Sequence, residues 1–111
     1  MATRCTIKID GINFAKVYKH WDGYPDGMLN WLNEFNNDFN KERGHDPEYK
    51  FAQLLRFAQR KAEEFGLDNS RYTGWGVIPF NNTCWAEYEY TLTKDGVRVI
   101  EAPDLKNLTL A

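Results

Sequence analysis

The stretch Cys5–His20, CTIKIDGINFAKVYKH, decides how the chain is read. Cys5, Ile7 and Ile9 alternate with Thr6 and Lys8, the period of two that marks a strand with one face buried. Asp10 and Gly11 tolerate positive φ and give the strongest short-range hairpin signal. The chain then returns through FAKVYKH, with Ala15 and Val17 on one face and Phe14, Lys16, Tyr18 and His20 on the other. An antiparallel pair at the N-terminus is therefore expected.

Beyond it the period changes. Met28, Leu32, Phe35 and Phe39 recur at helical spacing, with Leu29 and Trp31 widening the stripe, so residues 26–42 read as an amphipathic helix stopped near Gly44. A second helix opens with Asp46 as N-cap, Pro47 at the first helical position and Glu48 at the positive end of the dipole. Its apolar face is Phe51, Leu54, Leu55, Ala58, Ala62 and Phe65, ending at Gly66. After the turn-rich LDNSRYTG, the runs WGVIPF and CWAEYEYTLT read as strands separated by Asn81-Asn82-Thr83. Lys94-Asp95-Gly96 then closes a hairpin into VRVIE, which Pro103 ends. The order ββααβββ implies one α+β domain over residues 1–111, an antiparallel sheet of about five strands with two helices packed on one face.

Composition narrows the function classes. One domain suits 111 residues, and 42% hydrophobic residues can fill its core. A net charge of −2 supplies no global basic field, so nucleic acid would need a local patch. Cys5 and Cys84 form no metal-spaced or disulfide framework, which suits a reducing cytoplasm. The opening MATRCTIKID lacks the apolar run of a signal peptide, and no segment has the length of a membrane span. Without a secretory signal, the glycosylation patterns at Asn81 and Asn107 carry no weight.

The segment YKHWDGYPDG, Tyr18–Gly27, concentrates rings, carboxylates and turn formers. His20 and Asp22 could act as an acid–base pair or as two metal ligands, yet either role needs further partners. The alternative is a strand-to-helix turn, with Asp22-Gly23 and Pro25-Asp26-Gly27 as turn residues and Trp21 and Tyr24 lidding the core. Glu87 and Glu89 share a face with Trp85, and paired carboxylates can do glycosidase or metal chemistry. Carboxylates two residues apart also occur routinely on a solvated sheet face, which the alternation already explains. No Gly-x-Ser-x-Gly elbow is present, and Gly74-Trp75-Gly76 lacks the helix and lysine of a phosphate loop. No catalytic residue, metal site or cofactor is implied. Trp21, Tyr24, Trp31, Tyr72, Trp75, Trp85, Tyr88 and Tyr90 exceed what so small a core can hide. With Lys16, Lys19, Arg71 or Arg98 near them, such rings could stack a base and pair a phosphate, or anchor a protein interface.

VYKHWDGYPDG, GWGVIP and AEYEYTLTKDGVRVIE together resemble a family of small uncharacterised phage and prophage proteins. These carry a Tyr-x-His-Trp-Asp-Gly-Tyr-Pro loop after an N-terminal strand and a Glu-Tyr-x-Tyr strand near the C-terminus. Tyr18, His20, Trp21, Asp22, Gly23, Tyr24 and Pro25 match the first element; Glu87, Tyr88 and Tyr90 match the second. Where the family often has His-Gly-Asp before the second element, this chain has Thr83-Cys84-Trp85-Ala86. The resemblance implies a counter-defence factor of the host cytoplasm, binding a host protein such as a CRISPR component. Tyr18, Lys19, His20, Trp21, Asp22, Tyr24, Trp75 and Trp85 are the expected contact residues, and a homo-oligomer is open. A nucleotide-sequestering or nucleotide-processing protein using His20, Trp21 and Asp22 is the alternative expectation.

Overall fold

The computed structural model describes residues 3–64, 73–82 and 84–101. Among them run β1 (Cys5–Ile9), β2 (Ala15–Lys19), α1 (Pro25–Arg43), α2 (Pro47–Glu64), β3 (Trp75–Pro79), β4 (Tyr88–Leu92) and β5 (Val97–Glu101). This is the ββααβββ order and α+β class that the sequence implies. The expected end of the second helix at Phe65 and Gly66, the linker with Arg71 and Tyr72, Thr83, and the tail from Pro103 through Asn107 lie outside the described residues. No helix among the described residues is long and apolar enough to cross a membrane.

The five strands lie in the order β3-β2-β1-β4-β5. Three pairs are antiparallel, but β1 and β4 run parallel, with Cys5 beside Tyr88 and Ile9 beside Leu92. The sheet is thus mixed rather than antiparallel throughout. The reason is where β3 lands: it pairs with β2 at one edge, so the chain must cross two strands to reach the free side of β1. That connection, residues 80–87, starts with the Phe80 ring 4.6 Å from the Lys8 ammonium and ends with the Glu87 N–H on the Arg4 carbonyl. No helix lies among its described residues, although parallel connections usually contain one. The expected long strand from Cys84 accordingly begins only at Tyr88, because Cys84 and Trp85 take left-handed φ values of 52° and 56°.

Both helices cover the face carrying Cys5, Ile7, Ile9, Val17, Tyr90 and Leu92, against which Met28, Leu32 and Leu54 pack in one core. Pro25 opens α1 without a side-chain cap, and the Gly44 N–H on the Asn40 carbonyl closes it at φ 72°. The buried stripe of α1 is Met28, Leu32, Asn36 and Phe39, so Asn36 takes a core position that the apolar pattern assigns to Phe35. Displaced from the core stripe, Phe35 joins a row of rings along the helix layer. Trp75 meets Trp31 at 5.9 Å between centroids, Trp31 stacks on Phe57 at 5.4 Å, Phe57 meets Phe35 at 5.7 Å, and Phe35 stacks with Phe39 at 6.4 Å.

A polar network fills the other end of that layer. Lys50, fully buried, donates to Asn36 Oδ1 (2.6 Å) and contacts His45 Nδ1 (2.7 Å). His45 Nε2 reaches the Asp10 carbonyl at 2.8 Å, and Asn36 Nδ2 donates to the Thr93 carbonyl at 2.8 Å. With Lys50 donating to Nδ1, the proton of a neutral His45 sits on Nε2 and points at Asp10. The network ties both hairpin turns to the helices. Burial lowers the Lys50 ammonium to about 8, with the Asp10 carboxylate opposing the shift.

Candidate functional site

The loop after β2 is stapled to the sheet at three points. The His20 N–H donates to the Gly74 carbonyl (2.8 Å) and the Gly23 N–H to the Thr3 carbonyl (2.9 Å). The Tyr90 hydroxyl, rising from β4, donates to the Gly23 carbonyl at 2.6 Å. Gly23 sits so close to β1 that a Cβ there would lie 2.7 Å from Cys5 Cβ, while Asp22 takes φ 54° to turn the chain. The glycine and aspartate therefore serve the turn.

The same turn holds Trp21 in place. Its ring lies against Gly74, where an added Cβ would fall 2.1 Å from Cζ3, and 38% of the residue stays exposed. Trp21 is thus a fixed, half-open ring. It borders a cleft of about 520 Å³ at the junction of the sheet with the start of α1 and the end of α2. Trp31 and Trp75 supply two more indoles, Lys19 and Lys61 two ammonium groups, and Asp22 a carboxylate at the rim. The Lys19 ammonium sits 5.1 Å from the Trp75 ring centroid and donates to the Trp21 carbonyl. Burial pulls it below its ordinary value, with Cys5 and Asp22 partly offsetting that effect. A volume of this size and mostly apolar walls with three indoles suit a small ligand or one anchoring side chain of a partner.

The structure divides the expected contact residues. Lys19, Trp21, Asp22 and Trp75 line the cleft. Tyr18 and His20 do not: they alternate to the opposite sheet face, where Tyr18 Oη and His20 Nδ1 lie 2.8 Å apart. His20 touches Trp21 only edge to face, at 5.3 Å. Tyr24 stands at the N-cap of α1, 44% exposed, and Trp85 lies on the crossover, 68% exposed, both outside the cleft lining. Gly27, Met28, Trp31, Lys61, Ala62 and Thr73 line it as well and are not among the expected contact residues. Trp31 carries a readable signal, since it lies on the stripe flank one helical turn after Met28; its meeting with Trp75 does not.

A second constellation lies on the face away from the helices. Glu89 is only 5% exposed, against the solvated position that strand alternation suggests. Its carboxylate accepts from Thr6 Oγ1 (2.8 Å) and from the buried Lys16 ammonium (2.9 Å), and pairs with Lys8 at 3.1 Å. Burial alone would raise its pKa, yet hydrogen bonds from Lys16, Thr6 and Lys8 outweigh burial and hold it below the ordinary value. The Phe80 ring lies against both lysines. This cluster anchors the crossover to the sheet.

Burial pushes the Cys5 thiol up to about 12 against the opposing charge of Lys19, which leaves it a core residue rather than a nucleophile. Among the described residues, no group of three or more histidine, cysteine, aspartate or glutamate side chains could hold a metal ion. No family model, curated protein or solved structure matches the chain.

Proposed function

We propose that this chain is a non-enzymatic binding module of phage or prophage type, which acts in the host cytoplasm by occupying a host protein such as a CRISPR component. One observation carries the reading: Trp21, Trp31 and Trp75 converge with Lys19 on a single open cleft. Tryptophan is enriched among the residues that dominate interface energies, and a ring already fixed by the fold loses little freedom on binding. The cleft is the anchor-receiving site of this module, and Tyr24 extends the contact surface beside it.

Gly27 offers a clean test. It lines the cleft near the start of α1, and a Cβ added there meets nothing within 4 Å. Gly27→Phe should fill the cleft while α1 stays intact. Expression of the wild-type chain in CRISPR-immune cells should restore phage plating, the Gly27→Phe variant should not, and the purified chain should co-elute with the targeted effector. Unchanged plating with the wild-type chain across CRISPR types would sink the counter-defence reading.

The nucleotide reading has its own support, because indoles beside two ammonium groups can stack a base and pair a phosphate. Thermal shift with linear and cyclic nucleotides decides it: a saturable rise that Gly27→Phe abolishes supports it, and a flat response across the panel removes it.

A further inference from the structure

Between the C-terminal half of α1 and the N-terminal half of α2 runs a second groove of about 560 Å³, separate from the tryptophan cleft. Its α1 wall carries Glu34, Asp38 and Glu42, spaced four residues apart and therefore stacked along one helix edge. The facing wall from α2 carries Tyr49 and Phe57, and Phe35 lies between the walls. All three carboxylates are exposed, and none makes a hydrogen bond or ion pair with any described residue. The cation among the lining residues, Arg43, is committed elsewhere: it pairs with Asp46 at 3.4 Å and lies over the Tyr49 ring at 4.3 Å.

Like charges four residues apart on a helix repel one another. A row of three without a neutralising partner, set along an aromatic floor, is complementary to an amphipathic segment with cations on one edge and apolar side chains beside them. We infer that this groove docks a basic amphipathic helix of a protein partner, whose lysines or arginines at four-residue spacing meet Glu34, Asp38 and Glu42 while its apolar side chains cover Phe35 and Phe57. The groove is acidic where the tryptophan cleft is basic, so the two surfaces take chemically different occupants. The docking surface stands whether or not the cleft binds a host protein.

The test titrates the full chain against a fluorescein-labelled helical peptide with lysine at every fourth position beside a leucine face, read by fluorescence polarisation. Saturable one-to-one binding is expected at low salt. It should weaken about tenfold or more in the E34Q/D38N/E42Q variant, since three surface ion pairs of ordinary strength together amount to about that factor. It should fall similarly in about 1 M salt, where the Debye length is about 3 Å. The same peptide with glutamate replacing lysine should not bind, and Gly27→Phe should leave the affinity unchanged, which separates this surface from the cleft. No saturable binding, or equal affinity for wild-type and triple variant, overturns the inference. So does a dimer in sedimentation velocity that the triple substitution dissociates, because the groove would then hold a second copy of the chain.

Discussion

The Tyr90 hydroxyl donates a 2.6 Å hydrogen bond to the carbonyl of Gly23, joining the buried middle of β4 to the turn between β2 and α1. The bond fixes the loop that carries Trp21, so the geometry of the cleft depends on a residue on the far side of β1. Burial raises the Tyr90 phenol well above its ordinary value, which keeps it a donor at all physiological pH.

Tyr90→Phe keeps the ring and removes only that donor, leaving the Gly23 carbonyl without its partner. A loss of about 1–3 kcal/mol is expected, the usual cost of an unsatisfied buried group. Urea unfolding measures it, and Trp21 fluorescence should report a more solvated ring. Gly23→Ala should cost more, since its Cβ would lie 2.7 Å from Cys5 Cβ and 2.9 Å from the Thr3 carbonyl oxygen. A Tyr90→Phe protein as stable as wild type would show that the staple is dispensable.

Glu89 sets an acid limit. Its folded pKa lies below the unfolded value, so its stabilisation is complete above the ordinary carboxylate range and is lost as pH falls through the folded pKa. Glu89→Gln leaves the buried Lys16 ammonium unpaired and should cost about 3 kcal/mol or more near neutral pH. The difference in stability between wild type and this variant should shrink below pH ~4. A gap independent of pH would remove the ionised carboxylate from the account.

Lys50 acts at the alkaline end, with a slope of the same sign. A buried lysine whose folded pKa is about 8 releases its proton before the unfolded chain does. Between about pH 8 and the ordinary lysine value the unfolded state holds more protons, so stability rises with pH in that window. Lys50→Met removes this linkage, and the wild-type advantage over it should widen from pH 8 toward pH ~10. Denaturant titrations of both proteins across that range test the sign; a narrowing gap contradicts it.

Parts of this molecule are legible residue by residue. Alternation over Cys5–Ile9 and the cap residues Asp46 and Pro47 specify a strand and a helix, because both depend on neighbours within a few positions. The turn chemistry of Asp22, Gly23 and Pro25 is legible for the same reason. Asn36, Lys50 and Glu89 are not, since a polar side chain becomes a core residue only when a distant partner meets it. Lys16 lies 73 residues from Glu89 along the chain, and Thr93 lies 57 from Asn36.

The sequence by itself determined seven elements, their order, and the strand-to-helix turn that carries Trp21, each through local periodicity and backbone preference. Only the tertiary structure decided that β4 lies parallel to β1, that His20 faces away from the cleft, and that Trp31 and Trp75 complete it. Strand pairing and ring contacts join residues separated by helices, and their energies come from which surfaces exclude water together. No local pattern carries that information.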